Sequence, residues 1–310
     1  MIIASLCFLK VLRSLCGKRY DGSASLPYYR ACDFSLTEKR FSFYSGKRLL
    51  SGSKYYYGDA NPKALIVFFH GLGDGRASYI KEISLLAKEG YLVYAYDNTG
   101  CMESEGRTIN SFDHSFKDQK AFFSFLDRDE DAKGLKRYAI GHSWGGFNAL
   151  ISSKREYRIE KIVSLAGYTS IPTFFSASMP RFGKIFWPSI WLASRYLEPR
   201  YGAKSAISLL RKSNAEVLYI QGEDDHIVPL KAGFIALRKA FYGNPRFHFV
   251  LVKGIGHSVY RAPESEAYVH SLLKDGITEL NKNEGLIMDI EKATKENKEV
   301  WKAILDFLKK

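Results

Sequence analysis

The sequence predicts an α/β protein with a mostly parallel sheet, and two observations carry this prediction. From about residue 63 to 165, short apolar stretches alternate with helical stretches, which is the pattern of repeated strand-helix-strand units. The chain has 310 residues and 46% of them are hydrophobic, so it can bury a full core. We expect one core domain that carries an insertion.

The predicted elements follow in order along the chain. Residues 41–50 predict an antiparallel hairpin that turns at Gly46. Five apolar strands come after it, at 64–69, 91–96, 137–140, 217–220 and 247–252. Helices are predicted near 76–89, 112–128 and 144–155, and a last amphipathic helix lies within 281–310.

The first 40 residues are predicted to form a basic and apolar extension to a domain at 41–310. Their apolar start is interrupted by Lys10 and Arg13, and it is shorter than the ~20 residues that a membrane-spanning helix needs. It also lacks the charge pattern and cleavage site of a secretory signal. We therefore expect a short interfacial helix or a packing arm.

Positive charge is concentrated in two segments. Residues 1–60 and 168–212 each carry a net charge of +6, whereas the rest of the chain contributes only +1 to the total of +13. Basic residues next to apolar ones suit the surface of an anionic membrane; a generally basic, solvated surface is the alternative. No nucleic-acid-binding module is recognisable, so we expect no nucleic-acid partner.

The spacing of cysteines and histidines indicates neither a disulfide framework nor a metal site. The four cysteines, at 7, 16, 32 and 101, show no paired spacing, and no H-E-x-x-H pattern occurs. We therefore predict no metal, no cofactor and a reducing, cytoplasmic setting, with or without membrane association.

The pentapeptide G-H-S-W-G at 141–145 indicates a catalytic nucleophile. It joins a predicted strand to a predicted helix. At such a turn the serine is exposed on strained backbone, and glycines on either side avoid collisions with the neighbouring strand and helix. This is the pattern of a nucleophile elbow with Ser143 as the nucleophile. The pattern is only moderately specific by itself, so its weight depends on partners downstream.

Two later loops supply such partners, each directly after a predicted strand. The loop after 217–220 carries three consecutive acids, Glu223, Asp224 and Asp225, and the loop after 247–252 carries His257. The order serine, acid, histidine along the chain differs from the orders of the two common serine protease classes.

With these residues in place, the chain resembles the α/β-hydrolases, in particular their monoglyceride-lipase and serine-aminopeptidase-like branch, over residues 41–310. The resemblance implies the α/β-hydrolase fold, with a mostly parallel, eight-stranded sheet flanked by helices. The spacing in the family selects Asp225 as the acid and His257 as the base. The resemblance also implies that the backbone N–H groups of Leu72 and Trp144 form the oxyanion hole.

The resemblance further implies a small helical cap inserted at about 168–212. This segment is rich in aromatic residues and prolines. Aromatic side chains above the strand ends would form an apolar acyl pocket, and the alternative is that they pack the cap onto the body. The residues expected to bind substrate are Phe174, Phe175, Phe186, Trp187 and Trp191.

These inferences predict a hydrolase of small-molecule carboxylic esters with moderately apolar acyl groups, acting through an acyl-enzyme. Two alternatives keep the same triad: an acyltransferase, in which an alcohol or thiol replaces water, and a serine aminopeptidase. Glu198 is the sole acid in 168–212, which speaks against a site for a substrate amino terminus. The least favoured alternative is a ligand-binding protein on this scaffold. Such proteins typically have a broken triad, whereas every triad residue is present in this sequence.

Overall fold

Eight strands form one sheet in the part of the chain that the structure describes. The computed structural model describes residues 1–22, 29–58, 61–179, 183–274 and 289–310. The strands are β1 (Thr37–Ser45), β2 (Arg48–Tyr56), β3 (Ala64–Phe69), β4 (Tyr91–Tyr96), β5 (Arg137–His142), β6 (Ile159–Leu165), β7 (Glu216–Gly222) and β8 (Phe247–Val252).

The order across the sheet is β1-β2-β4-β3-β5-β6-β7-β8. The pairs β1-β2 and β2-β4 are antiparallel, and every other neighbouring pair is parallel. The predicted α/β class with a mostly parallel sheet is confirmed.

Helices precede, connect and follow these strands. They are α1 (Ile2–Cys16), α2 (Ile80–Lys88), α3 (Ser115–Leu126), α4 (Trp144–Ile151), α5 (Ile171–Ala177), α6 (Gly183–Leu197), α7 (Ala206–Leu210), α8 (Phe234–Ala240), α9 (Pro263–Lys274), α10 (Ile290–Ala293) and α11 (Lys298–Lys309). The helices predicted near 76–89 and 112–128 each begin with a 3₁₀ turn, and the one predicted at 144–155 ends at Ile151. None of the helices in the described ranges is long and apolar enough to cross a membrane.

The sheet is covered on both faces because its strands are apolar on both sides. In β3, Leu65 and Val67 pack into one buried cluster and Ile66 and Phe68 into the other, as the two-residue period of a strand requires. The first cluster includes side chains of α3 and α4, and the second includes side chains of α2 and α11.

The sheet begins earlier in the chain than the sequence predicts. The hairpin of β1 and β2 turns at Gly46, whose φ of +66° suits glycine, but β1 already begins at Thr37. The sheet thus includes residues that the sequence assigned to the extension. At the other end, α11 buries Trp301 and Ile304, and residues 281–288 of the predicted last helix lie outside the described residues.

The helices α5, α6 and α7 lie between β6 and β7, in the segment expected to form a cap. Residues 180–182 of that segment lie outside the described residues. The N-terminal helix α1 packs against α6, with the ring centroids of Phe8 and Phe186 5.8 Å apart. It also buries Leu12 and Cys16 in the cluster that contains α3 and α4. This helix is therefore part of the folded core.

Candidate active site

Ser143 occupies a sharp turn between β5 and α4. Its φ of 58° lies in the left-handed region, which is strained for a residue with a side chain. The Ser143 N–H donates to the carbonyl of Leu165 in β6 at 2.8 Å. A Cβ at Gly141 would collide with the carbonyl oxygen of Gly145, and a Cβ at Gly145 would collide with that of Phe69. Glycine is therefore required on both sides of the serine, as the sequence predicts.

His257 and Asp225 form a hydrogen-bonded pair. Nδ1 of His257 lies 3.0 Å from both carboxylate oxygens of Asp225. The N–H groups of Ile227 and Val228 donate to one of these oxygens at 3.0 and 2.9 Å, and the Gln221 amide donates to the other at 3.0 Å. Burial acts to raise the pKa of Asp225, but the hydrogen bonds, from His257 foremost, hold that pKa below its usual value. The ionised carboxylate orients the ring with Nδ1 protonated and Nε2 able to accept a proton.

The structure also distinguishes Asp225 from its two acidic neighbours. Glu223 and Asp224 are exposed, and within the described ranges neither forms an ion pair or hydrogen bond with His257. Asp225 is buried at 6% exposure and lies against the ring. The spacing of the family therefore selected the acid that contacts the histidine.

Ser143 and His257 line the same cavity. The described residues include no hydrogen bond between the Ser143 hydroxyl and the His257 ring. In unliganded enzymes such hydrogen bonds are often long and tighten when substrate binds. Both side chains are therefore accessible from the same cavity.

Two residues that line the cavity with Ser143 have a backbone N–H without an acceptor in the described part of the chain. Trp144 is the first residue of α4, so its N–H has no partner within the helix. The N–H of Leu72 likewise donates to none of the described residues. Both residues line the cavity together with Ser143. They can therefore donate to a substrate oxygen.

A chain of hydrogen bonds connects the loops that carry these groups. The Gly71 N–H donates to the Tyr79 hydroxyl at 3.2 Å, and this hydroxyl donates to Nδ1 of His142 at 3.1 Å. Nε2 of His142 donates to the carbonyl of His257 at 3.1 Å. Burial, aided by the nearby His257 ring, lowers the pKa of His142 well below its usual value. His142 is thus a neutral ring that joins the loop after β3 to the loop after β8.

The cavity at Ser143 has a volume of about 590 Å³ and mainly apolar walls. Such walls with a few polar groups are typical of small-molecule sites. The apolar lining residues are Leu15, Leu72, Phe112, Trp144, Tyr168, Phe174, Phe175, Ile227, Val228, Tyr260 and Val269.

Part of the cavity wall is polar. Asp74, Arg261 and Glu266 line this part of the cavity, and Arg261 is only 4% exposed. Burial raises the pKa of Asp74 to about 7, although the charge of Arg261 acts to lower it. This wall can therefore both donate and accept hydrogen bonds to the polar part of a ligand.

The five aromatic residues expected to bind substrate are divided by the structure. Phe174 and Phe175 of α5 line the cavity. Phe186 of α6 instead packs against α1, and Trp187 and Trp191 are 40% and 38% exposed. None of these three is among the described residues that line the cavity. Their positions depend on which face of α6 meets the body, which aromatic composition does not specify.

Comparison with protein families and curated relatives agrees with this arrangement. A family model described as serine aminopeptidase, S33, matches residues 60–205. Human monoglyceride lipase is 32% identical over 102 residues, which cover 32% of this chain and 33% of the relative. Rat monoglyceride lipase is 26% identical over a match of the same length and coverage. The match thus spans about a third of the length of these relatives.

Solved structures extend the likeness over most of the chain. An esterase of Pyrococcus furiosus has a TM-score of 0.61 at 18% identity, over 85% of this chain and 98% of that one. An acylaminoacyl peptidase of Pyrococcus horikoshii has a TM-score of 0.56 at 17% identity, over 84% of this chain and 44% of that one. At these identities the likeness concerns the fold. The sheet order, the elbow and the structural likenesses together show that the chain has the α/β-hydrolase fold, and its sequence is similar to the S33 serine aminopeptidase model and to the monoglyceride lipases.

Proposed function

We propose that this chain is a serine hydrolase that cleaves carboxylic esters of moderately apolar acyl groups. The observation that carries the proposal is the cavity shared by Ser143 and His257, whose ring is hydrogen-bonded to Asp225. The cavity walls are apolar where Phe174 and Phe175 lie, which suits an acyl chain. The monoglyceride lipases and esterase among the similar proteins point to the same class of substrate.

The proposed mechanism assigns one role to each group. Nε2 of His257 accepts the proton of the Ser143 hydroxyl as its oxygen attacks the ester carbonyl carbon. The N–H groups of Leu72 and Trp144 stabilise the oxyanion of the tetrahedral intermediate. His257 then protonates the departing alcohol, and the acyl-enzyme remains. Water, deprotonated by His257, releases the acid, while Asp225 stabilises the charged ring in both steps.

In the described part of the insertion, no acidic side chain lines the cavity to pair with the amino terminus of a peptide. Glu198 contacts the ring of His114, with 3.2 Å between Oε2 and Nδ1, and it is absent from the described cavity lining. Asp74 and Glu266 do line the cavity, but the same wall carries the cationic Arg261. These contacts favour an ester substrate over an aminopeptidase substrate.

The test is hydrolysis of p-nitrophenyl esters from acetate to palmitate by the wild-type chain and by Ser143→Ala. Loss of a serine nucleophile costs on the order of 10⁶ in turnover, so we expect the variant to be inactive. Ser208→Ala, which changes an exposed serine, is the matched control and should retain activity. A Ser143→Ala rate within tenfold of wild type would exclude the proposal. Product analysis with an added alcohol distinguishes hydrolysis from acyl transfer.

We also propose peripheral contact with an anionic membrane surface through α1 and α6. These helices pack against each other, and both expose large apolar side chains. Exposed cations accompany them at Lys10, Arg13 and Lys184. Apolar insertion and charge attraction together favour such a surface. The exposed apolar side chains are Ile2, Ile3, Leu6, Ile185, Trp187, Trp191 and Leu192.

A further inference from the structure

The N-terminal helix α1 reaches the cavity at Ser143, although it precedes every strand of the sheet. Leu15 of α1 lines this cavity together with Ser143, His257 and Phe112. Of the described lining residues, it alone comes before Gly71 in the sequence. The family match begins only at residue 60. This part of the wall is therefore supplied from outside the matched segment.

The end of α1 that carries Leu15 is fixed to the loop after β4. The Arg19 guanidinium donates to the carbonyls of Ser104 and Gly106 at 2.7 and 2.9 Å. The Tyr20 N–H donates to the Gly100 carbonyl at 2.9 Å, and its hydroxyl donates to the carbonyl of Leu15 at 2.7 Å. A wall residue held by this many bonds cannot move aside readily for a longer ligand.

Packing holds the same turn of the helix from the other side. Leu12 and Cys16, the neighbours of Leu15 along α1, are 2% and 1% exposed and belong to the main buried cluster. Phe8, two turns earlier, contacts Phe186 of α6. The Leu15 side chain is thus presented to the cavity by a helix that is anchored along its length.

We propose that Leu15 sets the length of acyl chain that the cavity accepts. This inference rests on the proposed ester hydrolysis. In this proposal Leu15, which lines the cavity with Phe112, limits the space for the acyl chain, and a difference of one methylene in an apolar pocket changes discrimination by about 10- to 200-fold. Shortening Leu15 lengthens the pocket, and enlarging it shortens the pocket.

The test compares kcat/KM for p-nitrophenyl esters of increasing chain length in the wild type, Leu15→Ala and Leu15→Phe. We expect the ratio of long-chain to short-chain kcat/KM to rise about tenfold in Leu15→Ala and to fall about tenfold in Leu15→Phe. Opposite shifts would not follow from a general loss of stability, which lowers both values together. Leu9→Ala is the matched control, because Leu9 packs on the same helix and does not line the cavity.

The outcomes separate this inference from the proposed function. Ester hydrolysis that depends on Ser143 but has the same chain-length profile in both Leu15 variants would overturn the inference and leave the proposed function standing. A wild-type chain that hydrolyses none of the esters would overturn both. If Leu15→Phe does not fold, labelling of Ser143 by short-chain and long-chain alkyl fluorophosphonates in Leu15→Ala gives the same comparison, with an unchanged labelling ratio as the contrary result.

Discussion

At the scale of single residues, Asp225 acts on the proposed chemistry through His257. Its carboxylate accepts four hydrogen bonds in all and holds the ring by Nδ1. Asp225→Asn keeps the size of the side chain but offers an amide that favours the wrong ring tautomer. We expect kcat for ester hydrolysis to fall roughly 10⁴-fold, with the folded structure retained. Asp224→Asn is the control, and equal losses in both variants would contradict the assignment.

Tyr79 is a positioning residue that the structure adds to the site. Its hydroxyl bridges Gly71 and His142, so Tyr79→Phe leaves a buried donor and a buried acceptor unpaired. An unpaired buried polar group costs ~1–3 kcal/mol. We expect kcat to fall about tenfold with KM little changed, because the loop that contains Gly71 and the loop that contains His257 lose their connection.

The matched control for Tyr79→Phe is Tyr96→Phe, because the buried Tyr96 hydroxyl has no partner among the described residues. Removing it should leave kcat unchanged. Equal effects of the two substitutions on kcat would show that the bridge at Tyr79 does not position the site.

Ser143, Asp225 and His257 were candidates at the sequence level because each lies in the turn or loop after an apolar strand, and strand ends meet at one edge of a parallel sheet. Tyr79 gave no comparable signal, since its partners lie 8 and 63 residues away and match no periodic pattern. Phe186, Trp187 and Trp191 of α6 were predicted to bind substrate, but none of them is among the described residues that line the cavity. Their aromatic character suits an apolar pocket, but which side of α6 lies towards the cavity depends on how α6 packs against α1.

At the scale of elements, Asp113 connects the start of α3 to the segment after α6. Its carboxylate accepts a hydrogen bond from the Ala203 N–H at 3.0 Å and is buried. Burial raises its pKa to about 7, aided by Glu198, while the hydrogen bond acts in the opposite direction. Between the ordinary carboxyl pKa and pH 7, the unfolded chain is ionised and the folded chain keeps the proton. Stability contributed by this group is therefore lost as pH rises towards 7.

We expect Asp113→Asn to remove this pH dependence. The Tm of the variant minus that of the wild type should become more positive from pH 5 to pH 8, measured by thermal unfolding at both values. Glu130→Gln, which changes an exposed carboxyl, is the control and should show the same difference at both pH values. A pH-independent difference for Asp113→Asn would contradict the shifted pKa.

The elements themselves were largely predictable, and α1 shows where prediction stops. Apolar runs of strand length gave β3, β4, β7 and β8 within one or two residues. The sequence left α1 as an interfacial helix or a packing arm, because an apolar helix interrupted by Lys10 and Arg13 fits either. The structure shows that α1 packs against the rest of the protein, because Leu12 and Cys16 are buried in the main cluster. Side chains on its other face, such as Ile3 and Leu6, are exposed.

At the scale of the whole molecule, the exposed apolar side chains of α1 and α6 make the membrane proposal testable without truncation. Removing α1 would expose the buried cluster to which Leu12 and Cys16 belong. Substitution of exposed residues is therefore a clearer test of membrane contact than truncation. We expect the wild-type chain to float with anionic liposomes and Trp187→Ser/Trp191→Ser to bind at least tenfold more weakly, because indole rings favour the interface.

Tyr242→Ser is the control for flotation, since Tyr242 is 86% exposed and lies outside α1 and α6. Binding should also weaken as salt rises, because charge attraction contributes. A wild-type chain that stays with the soluble fraction in anionic liposomes at low salt would contradict membrane contact.

The tight turn at Ser143 makes the position of the proposed nucleophile depend on an intact sheet. Its N–H is bonded to Leu165 of β6, and the backbone of Gly145 lies against Phe69 of β3. The turn cannot open unless the central strands separate, so the Ser143 amide should exchange with deuterium as slowly as the sheet itself. When heat or denaturant unfolds part of a sample, we expect each molecule that stays folded to react with a covalent serine probe at an unchanged rate. The extent of labelling would then measure the folded fraction.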